Sequence, residues 1–275
     1  MRGAAVVGIP VFPCVLSACL AASASAQVFE LEAQNEATIL DVATQAIGDG
    51  ALFSGTSNNR LTKRALIRFD LSVLPAGDIV SATLELTPRA IRGPVPVSAF
   101  RLTRDWNEGP ALGQGTGGGL GSLAGPDDVT WLVDGFGANW NNAGGDFDPV
   151  ATDSATFTLL LTPVGFDVTQ DVIDMIDGTV TNLGWILISD IEPTIGRVVS
   201  FGTDETPDPN PKLIVEVTPN CVADVNGDGE VTPTDFTAWV SAFNNNLPEC
   251  DQNGDGSCTP TDFTAWVNNF NNGWR

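Results

Sequence analysis

An all-β sandwich or barrel followed by a small all-α unit is the fold class this sequence predicts, on three observations. From 27 to 219 the chain runs as short segments of alternating apolar and polar residues separated by turns rich in Gly and Pro. At Pro219-Asn220 that texture gives way to an internal repeat, 224–244 and 251–271, identical at 16 of 21 positions. Within each copy, aromatic and aliphatic residues recur at i, i+3, i+4 and i+7, the period of a helix face. Composition narrows the chemistry. The 275 residues carry 12 Lys and Arg against 34 Asp and Glu, a net charge of −22, with no His and no Tyr. Triads and dyads built on imidazole, His-ligated zinc and His acid–base catalysis are therefore excluded, leaving carboxylates, Lys, Arg and metal-held water. Acidity of this size also speaks against nucleic acid and anionic membrane as partners, because phosphate binding needs clustered basic residues.

At the N-terminus, Arg2 precedes an apolar run from Ala4 to Ala22 and then Ala24-Ser25-Ala26. This predicts a signal peptide over 1–26, cut before Gln27. Pro10, Pro13 and the small-residue end argue against a membrane anchor. Leu16-Ser17-Ala18-Cys19 resembles a bacterial lipobox, the rival reading, in which Cys19 would carry a lipid. Either way the product is exported, secreted or held at the cell surface. Beyond 27 no apolar run reaches the roughly 18 residues that a membrane span needs. An exported chain starting at Gln27 keeps Cys221, Cys250 and Cys258, enough for one intrachain disulfide, with all three pairings open.

The clearest strand is 64–70, which points Ala65, Ile67 and Phe69 to the core and Arg64, Leu66 and Arg68 to the other face. Further strands are expected over 79–87, 95–103, 155–162, 183–189, 197–201 and 212–218. One helix over 167–177 interrupts them, with Val168, Val172, Ile173 and Ile176 on one face. The stretch 113–125 reads as a flexible glycine-rich loop; it lacks the Lys-Ser/Thr ending of a phosphate-binding loop.

Each repeat opens Asp-x-Asn-Gly-Asp-Gly with Thr at position 9 and Asp at position 12. That is calcium-loop spacing, in which side chains at 1, 3, 5 and 12 and the carbonyl of 7 supply oxygen and Gly at 6 allows a sharp turn. The expected ligands are Asp224, Asn226, Asp228, the Glu230 carbonyl, Thr232 through water, and Asp235 in the first copy. In the second they are Asp251, Asn253, Asp255, the Ser257 carbonyl, Thr259 and Asp262. Oxygen-only donors select calcium, two ions in all. A helix follows each loop, but none precedes it. Phe236, Trp239, Val240 and Phe243, with Phe263, Trp266, Val267 and Phe270, are expected to form the mutual core of the two helices.

Two loop-helix calcium repeats in 221–275, with Cys221, Cys250-Asp251-Gln252-Asn253 and the pattern Asp-Phe-Thr-Ala-Trp-Val, resemble a type I dockerin, closest to the cysteine-containing GC-type. The resemblance implies a cohesin-like scaffold protein as partner. In place of the family's final Gly-Cys stands Gly273-Trp274, and in place of its Ser-Thr-like recognition pair stand Pro233-Thr234 and Pro260-Thr261. These four residues are the candidate partner contacts, and their duplication implies two docking orientations related by a half turn.

Upstream, 64–72, Leu74-Pro75-Ala76-Gly77, Ser81-Ala82-Thr83-Leu84, Asp105-Trp106-Asn107-Glu108-Gly109 and Gly184-Trp185-Ile186-Leu187-Ile188 resemble the DNRLRE domain, related to carbohydrate-binding module family 96. That resemblance spans 27–219 and implies a jelly-roll-type β-sandwich that binds polysaccharide, acidic glycans among them. The segment holds 10 basic against 26 acidic residues, and eight of the basic ones lie between Arg60 and Arg104. Arg64 and Arg68, on one strand face, are candidates to hold uronate carboxylates, with pairing to the chain's own acids as the competing role. Trp140, between Asn139 and Asn141-Asn142, is expected to be exposed and is the candidate stacking residue, whereas Trp185 is expected in the core. Asp146-Phe147-Asp148 is a weak structural-calcium candidate against a solvated loop. A non-catalytic polysaccharide-binding protein fits both segments. The alternatives are a glycoside hydrolase using a carboxylate pair such as Asp105 and Glu108, and a structural or adhesive surface protein.

Overall fold

The computed structural model describes residues 26–75, 77–203, 209–219, 222–228 and 230–272. They fall into two compact units that divide between Pro219 and Asn220. The expected signal peptide and Cys19 lie outside the described residues, as does Cys221. Among the described residues no helix is long and apolar enough to cross a membrane.

The front unit holds fourteen strands: β1 (Gln27–Leu40), β2 (Gln45–Ile47), β3 (Leu52–Thr56), β4 (Thr62–Phe69), β5 (Gly77–Leu86), β6 (Pro88–Ile91), β7 (Val95–Arg101), β8 (Gly113–Gln114), β9 (Leu120–Leu123), β10 (Asp153–Phe157), β11 (Val164–Asp167), β12 (Trp185–Ser189), β13 (Arg197–Phe201) and β14 (Lys212–Pro219). Helix α1 (Thr169–Ile176) lies between β11 and β12. The main path runs β10-β7-β12-β4-β1-β14-β5-β11, antiparallel throughout, with β13 joining β3 to β6 beside it. The path curls until its two ends meet: the Asp167 N–H donates to Asp153 Oδ2 at 2.8 Å, and the rings of Phe157 and Phe166 are 6.1 Å apart.

β1 makes the corner. Gln27 to Glu32 pair with β14, then a register shift between Ala33 and Asn35 turns the strand so that its second half pairs with β4. A bulge adds local twist and lets one strand serve two sheets. This 14-residue strand escaped the alternation pattern because Gln, Glu and Asn, all poor strand formers, are spread through it and its buried face changes at the bulge.

The curled sheet encloses the main core. Alternation on β4 sends Ala65, Ile67 and Phe69 inward, where they meet Leu84 and Leu86 of β5, Val97 of β7, Trp185 and Leu187 of β12, and Leu213 and Val215 of β14. Val168, Val172 and Met175 close it at α1, while Ile176 is 43% exposed. The apolar face of α1 is thus turned from the one expected, because Asp171 also faces in, accepting from Trp185 Nε1 at 2.8 Å and from the Thr152 hydroxyl at 2.6 Å. The strand expected over 155–162 ends at Phe157; Leu159, Leu160 and Leu161 form an exposed turn in which Leu161 has φ 55°.

A second core lies on the opposite face of the same sheet. Ala37, Ile39, Leu66 and Ile186 point outward and are covered by the 102–150 excursion through Leu102, Trp106, Val129 and Trp140. The central strands are therefore buried on both sides. The all-β front unit and small helical tail expected from the sequence are both met.

Among the described residues the tail unit has two α-helices, α2 (Pro233–Asn245) and α3 (Pro260–Asn272). Phe236 of α2 packs on Phe263 and Trp266 of α3, with ring centroids 5.7 and 5.2 Å apart, and Trp239 packs on Phe263 at 5.5 Å. The mutual core expected of the aromatic periodicity is met only in part: Trp239 and Trp266 are buried, whereas Phe236 and Phe263 keep 39% and 43% of their surface exposed and Phe243 and Phe270 pack on the tryptophans of their own helices.

Candidate functional sites: the acidic loops and the basic strand face

In the first loop, Asp224 Oδ1 accepts the N–H groups of Gly227 and Asp228 at 2.9 and 3.2 Å, and Asp228 Oδ1 accepts from Glu230 N at 2.9 Å. Asp235, fully buried, accepts from Asn226 N at 3.2 Å and Thr232 N at 2.7 Å. Thr232 caps α2, Pro233 takes the first helical position, and Asp235 completes a capping box. Loop positions 9 and 12 are thus also helix N-cap and N3, which explains why loop and helix are one unit in sequence.

The second loop repeats this geometry. Asp251 Oδ1 accepts from Gly254 and Asp255 at 2.9 and 3.2 Å, and Asp255 Oδ1 accepts from Ser257 N at 2.9 Å. Asp262, fully buried, accepts from Thr259 N at 2.7 Å, Gln252 N at 3.0 Å and Asn253 N at 3.3 Å. The Thr259 N–H, ahead of the other donors, holds the Asp262 carboxyl below the usual carboxylate range. Gly256, at loop position 6, has φ 79°, which a side chain would strain. Each loop turns its position-12 carboxylate onto the loop's own N–H groups, and the oxygen-only chemistry of the donor set fits calcium, although among the described residues no three acidic side chains are gathered closely enough to hold an ion.

The loops are cross-tied. Trp239 Nε1 of the first copy donates to the carbonyl of Cys250, just before the second loop, at 3.1 Å; Trp266 Nε1 of the second donates to the carbonyl of Ala223, just before the first, at 3.3 Å. Residues 222–271 match the dockerin type I domain. A comparison with curated proteins returns no match for the chain. Type I dockerins bind calcium and dock to cohesin partners. On this dockerin, Pro233, Thr234, Pro260 and Thr261 are all exposed at the helix starts. Among the described residues, Cys250 and Cys258 form a disulfide across the second loop. Their equivalents in the first copy, Ala223 and Val231, are both buried. The bridge therefore joins the two positions that are buried apolar residues in the first copy.

In the front unit, the residues expected to contact glycan are held by partners within the chain. Arg64 and Arg68 do share a strand face, but that face lies under the 102–150 excursion. Arg64 donates to both carboxylate oxygens of Glu192, at 2.7 and 2.9 Å, and to the Gly144 carbonyl at 2.8 Å, and its guanidinium lies 4.6 Å from the Trp131 ring. Arg68 donates to Asn35 Oδ1 at 2.7 Å and Asp105 Oδ1 at 2.7 Å. Both forks are occupied by the chain's own acceptors. Trp140 is not exposed: only 5% of its surface is accessible, and its Nε1–H donates to the Thr130 carbonyl at 2.9 Å. The polar neighbours that suggested exposure form a turn around buried Asp146, which accepts from Asn141 N, Asn141 Nδ2 and Asn142 N, each at 2.9 Å. Asp146 is thus neither solvated nor left with idle oxygens. Asp105 is bound to Arg68, and Glu108 Oε2 accepts from Glu36 N at 3.1 Å.

The basic run from Arg60 to Arg104 is dispersed rather than gathered. Arg101 pairs with Asp148 and Asp171, and Arg104 with Asp134. Lys63, Arg89 and Arg92 instead line one cleft, which the strand prediction starting at Arg64 missed. Extending the period-2 alternation one step back from Ala65 would have placed Lys63 on the core side.

Proposed function

We propose that the protein is a secreted, non-catalytic polysaccharide-binding protein whose dockerin takes one calcium ion per loop and docks to a cohesin-like scaffold. The observation that carries this is the duplicated loop with its buried position-12 carboxylates, Asp235 and Asp262, each fixing a helix that presents an exposed Pro-Thr pair. Support for the polysaccharide half is the order and spacing of the segments that resemble the DNRLRE domain. Support for export is the 1–26 leader pattern. The two Pro-Thr pairs serve alternative docking orientations.

The test is capture of the full chain on an immobilised cohesin module, with calcium and with chelator, alongside retention on immobilised acidic and neutral polysaccharides. Capture is expected only with calcium, and Asp224→Ala with Asp251→Ala should abolish it. Replacing Pro233-Thr234 alone should leave capture intact through the second pair. Capture that ignores chelation would overturn the docking half. Release of soluble sugar from a retained polymer would overturn the non-catalytic half, and failure to be retained on any polymer would remove the polysaccharide.

A further inference from the structure

The inward row of β4 runs Phe69, Ile67, Ala65 and then Lys63, so a lysine occupies the place where the row calls for an apolar residue. Lys63 is 3% exposed, and burial lowers its ammonium pKa to about 8, which leaves it charged in most molecules at neutral pH. A buried charge needs a partner. Among the described residues Lys63 has no ion pair; what it meets is the Phe53 ring, with Nζ 4.5 Å from the centroid. This is unusual in a front unit where Arg64, Arg68, Arg101, Arg104 and Lys212 each hold a carboxylate within 3.2 Å.

Lys63 borders a cleft of about 560 Å³, the size of a small-ligand site. Arg89 and Arg92 also line it, and none of its described lining residues is acidic, in a chain of net charge −22. Asn58 and Asn59, both exposed, stand at its edge. Gly117 and Gly119 of the glycine-rich stretch line it too. Gly119 has φ −86° and ψ 5°, which other residues adopt, yet a Cβ there would lie 2.8 Å from Lys63 Nζ and 3.3 Å from Phe53 Cζ. Its glycine keeps space beside the ammonium.

We propose that this cleft binds a carboxylate carried on a hydroxylated ring, an acidic sugar residue, with Lys63 facing the carboxylate, Arg92 flanking it and Asn58 and Asn59 meeting the ring hydroxyls. The ligand class rests on the polysaccharide reading above; the site rests on the cleft itself. Arg64 and Arg68 do not line it.

The chain has two lysines, Lys63 and Lys212, so lysine labelled with ¹³C at Cε gives two signals, assigned with Lys63→Met. Lys212, paired to Glu30 at 2.6 Å, is the internal control. Adding trigalacturonate to the full chain is expected to move the Lys63 signal and not that of Lys212, while neutral trigalactose moves neither. Lys63→Met, which puts an apolar side chain of similar length into an inward position, should weaken trigalacturonate binding by about 10- to 100-fold, as loss of a charge-assisted hydrogen bond does. Gly119→Ala, with both charges kept, should weaken it as well by narrowing the cleft. A Lys63 signal that stays still with trigalacturonate, or that inorganic sulfate moves at equal concentration, overturns the proposal. So does acidic-polymer retention that survives both variants, which would leave the polysaccharide reading standing on another surface. A Lys63 signal that responds to trigalacturonate in a chain retained on no polymer supports the cleft while removing the polysaccharide.

Discussion

Replacing Cys250 with Ala and Cys258 with Val gives the second calcium loop the residues that the first copy has at the same places, Ala223 and Val231. The change removes the bridge while leaving small apolar side chains at two sites that accommodate them in the other copy. The cross-link spans a sequence separation of 8. Loop-closure entropy for so short a loop amounts to about 2.5 kcal/mol at 25 °C. With the bridge in place, the loop is already closed when the ion arrives; without it, closure is drawn from ion binding. Calcium affinity of the second loop is therefore expected to fall by as much as about 60-fold, with the first loop unchanged. Calorimetric calcium titration of the full chain, oxidised and as Cys250→Ala with Cys258→Val, separates the two sites, and a thiol reductant on the parent chain should reproduce the variant's isotherm. An isotherm that does not change, or in which both sites weaken alike, would refute the reasoning.

Arg64→Ala is expected to destabilise the front unit by about 2 kcal/mol, between the roughly 0–1 kcal/mol of an exposed ion pair and the roughly 3–5 kcal/mol of breaking a buried one, because Arg64 and Glu192 keep 15% and 18% of their side-chain surface. The thermal midpoint of that unit should drop by roughly 4–8 °C while polysaccharide retention is kept; lost retention with an unmoved midpoint would restore Arg64 as a ligand contact. Asp235→Ala removes the capping box and should cost about 1 kcal/mol of tail stability in chelator, together with the stabilisation that calcium adds. A calcium-dependent rise in the tail's melting temperature equal to that of the parent chain would contradict it. Lys63 has a folded pKa of about 8 against 10.5, so between those values the unfolded chain holds the extra proton and stability rises with pH, by at most about 3 kcal/mol. Lys212 works in the opposite sense: Glu30 raises its pKa, and that stability is lost at still higher pH. Denaturant midpoints from pH 7 to 10.5 should climb in the parent chain and flatten in Lys63→Met.

The features the sequence disclosed are those whose signal is local. Alternation placed Ala65, Ile67 and Phe69 inward, and the loop spacing brought Asp224 through Asp235 and Asp251 through Asp262 together, because a calcium loop and its capping box are written within twelve consecutive positions. What stayed hidden depends on partners far along the chain. The partner of Arg64 is Glu192, 128 residues away, and Trp140 is buried because the excursion that carries it folds back over a sheet face. Asn-rich flanks read as surface, yet they wrap Asp146. Cysteine counting left three pairings open, whereas aligning the copies sets Cys250 and Cys258 against Ala223 and Val231, two apolar positions that are both buried. Lys63 was missed by one residue at a strand end, where element boundaries are least marked by pattern.

Because β1 pairs with both β4 and β14, the earliest strand of the front unit lies beside its latest. A chain made from its N-terminus cannot complete the corner until residue 219 has emerged, so shortened products lack the seam between β1 and β14 and leave the edges of both sheets open. Only a chain extended through β14, to the threshold of the dockerin, can form that seam.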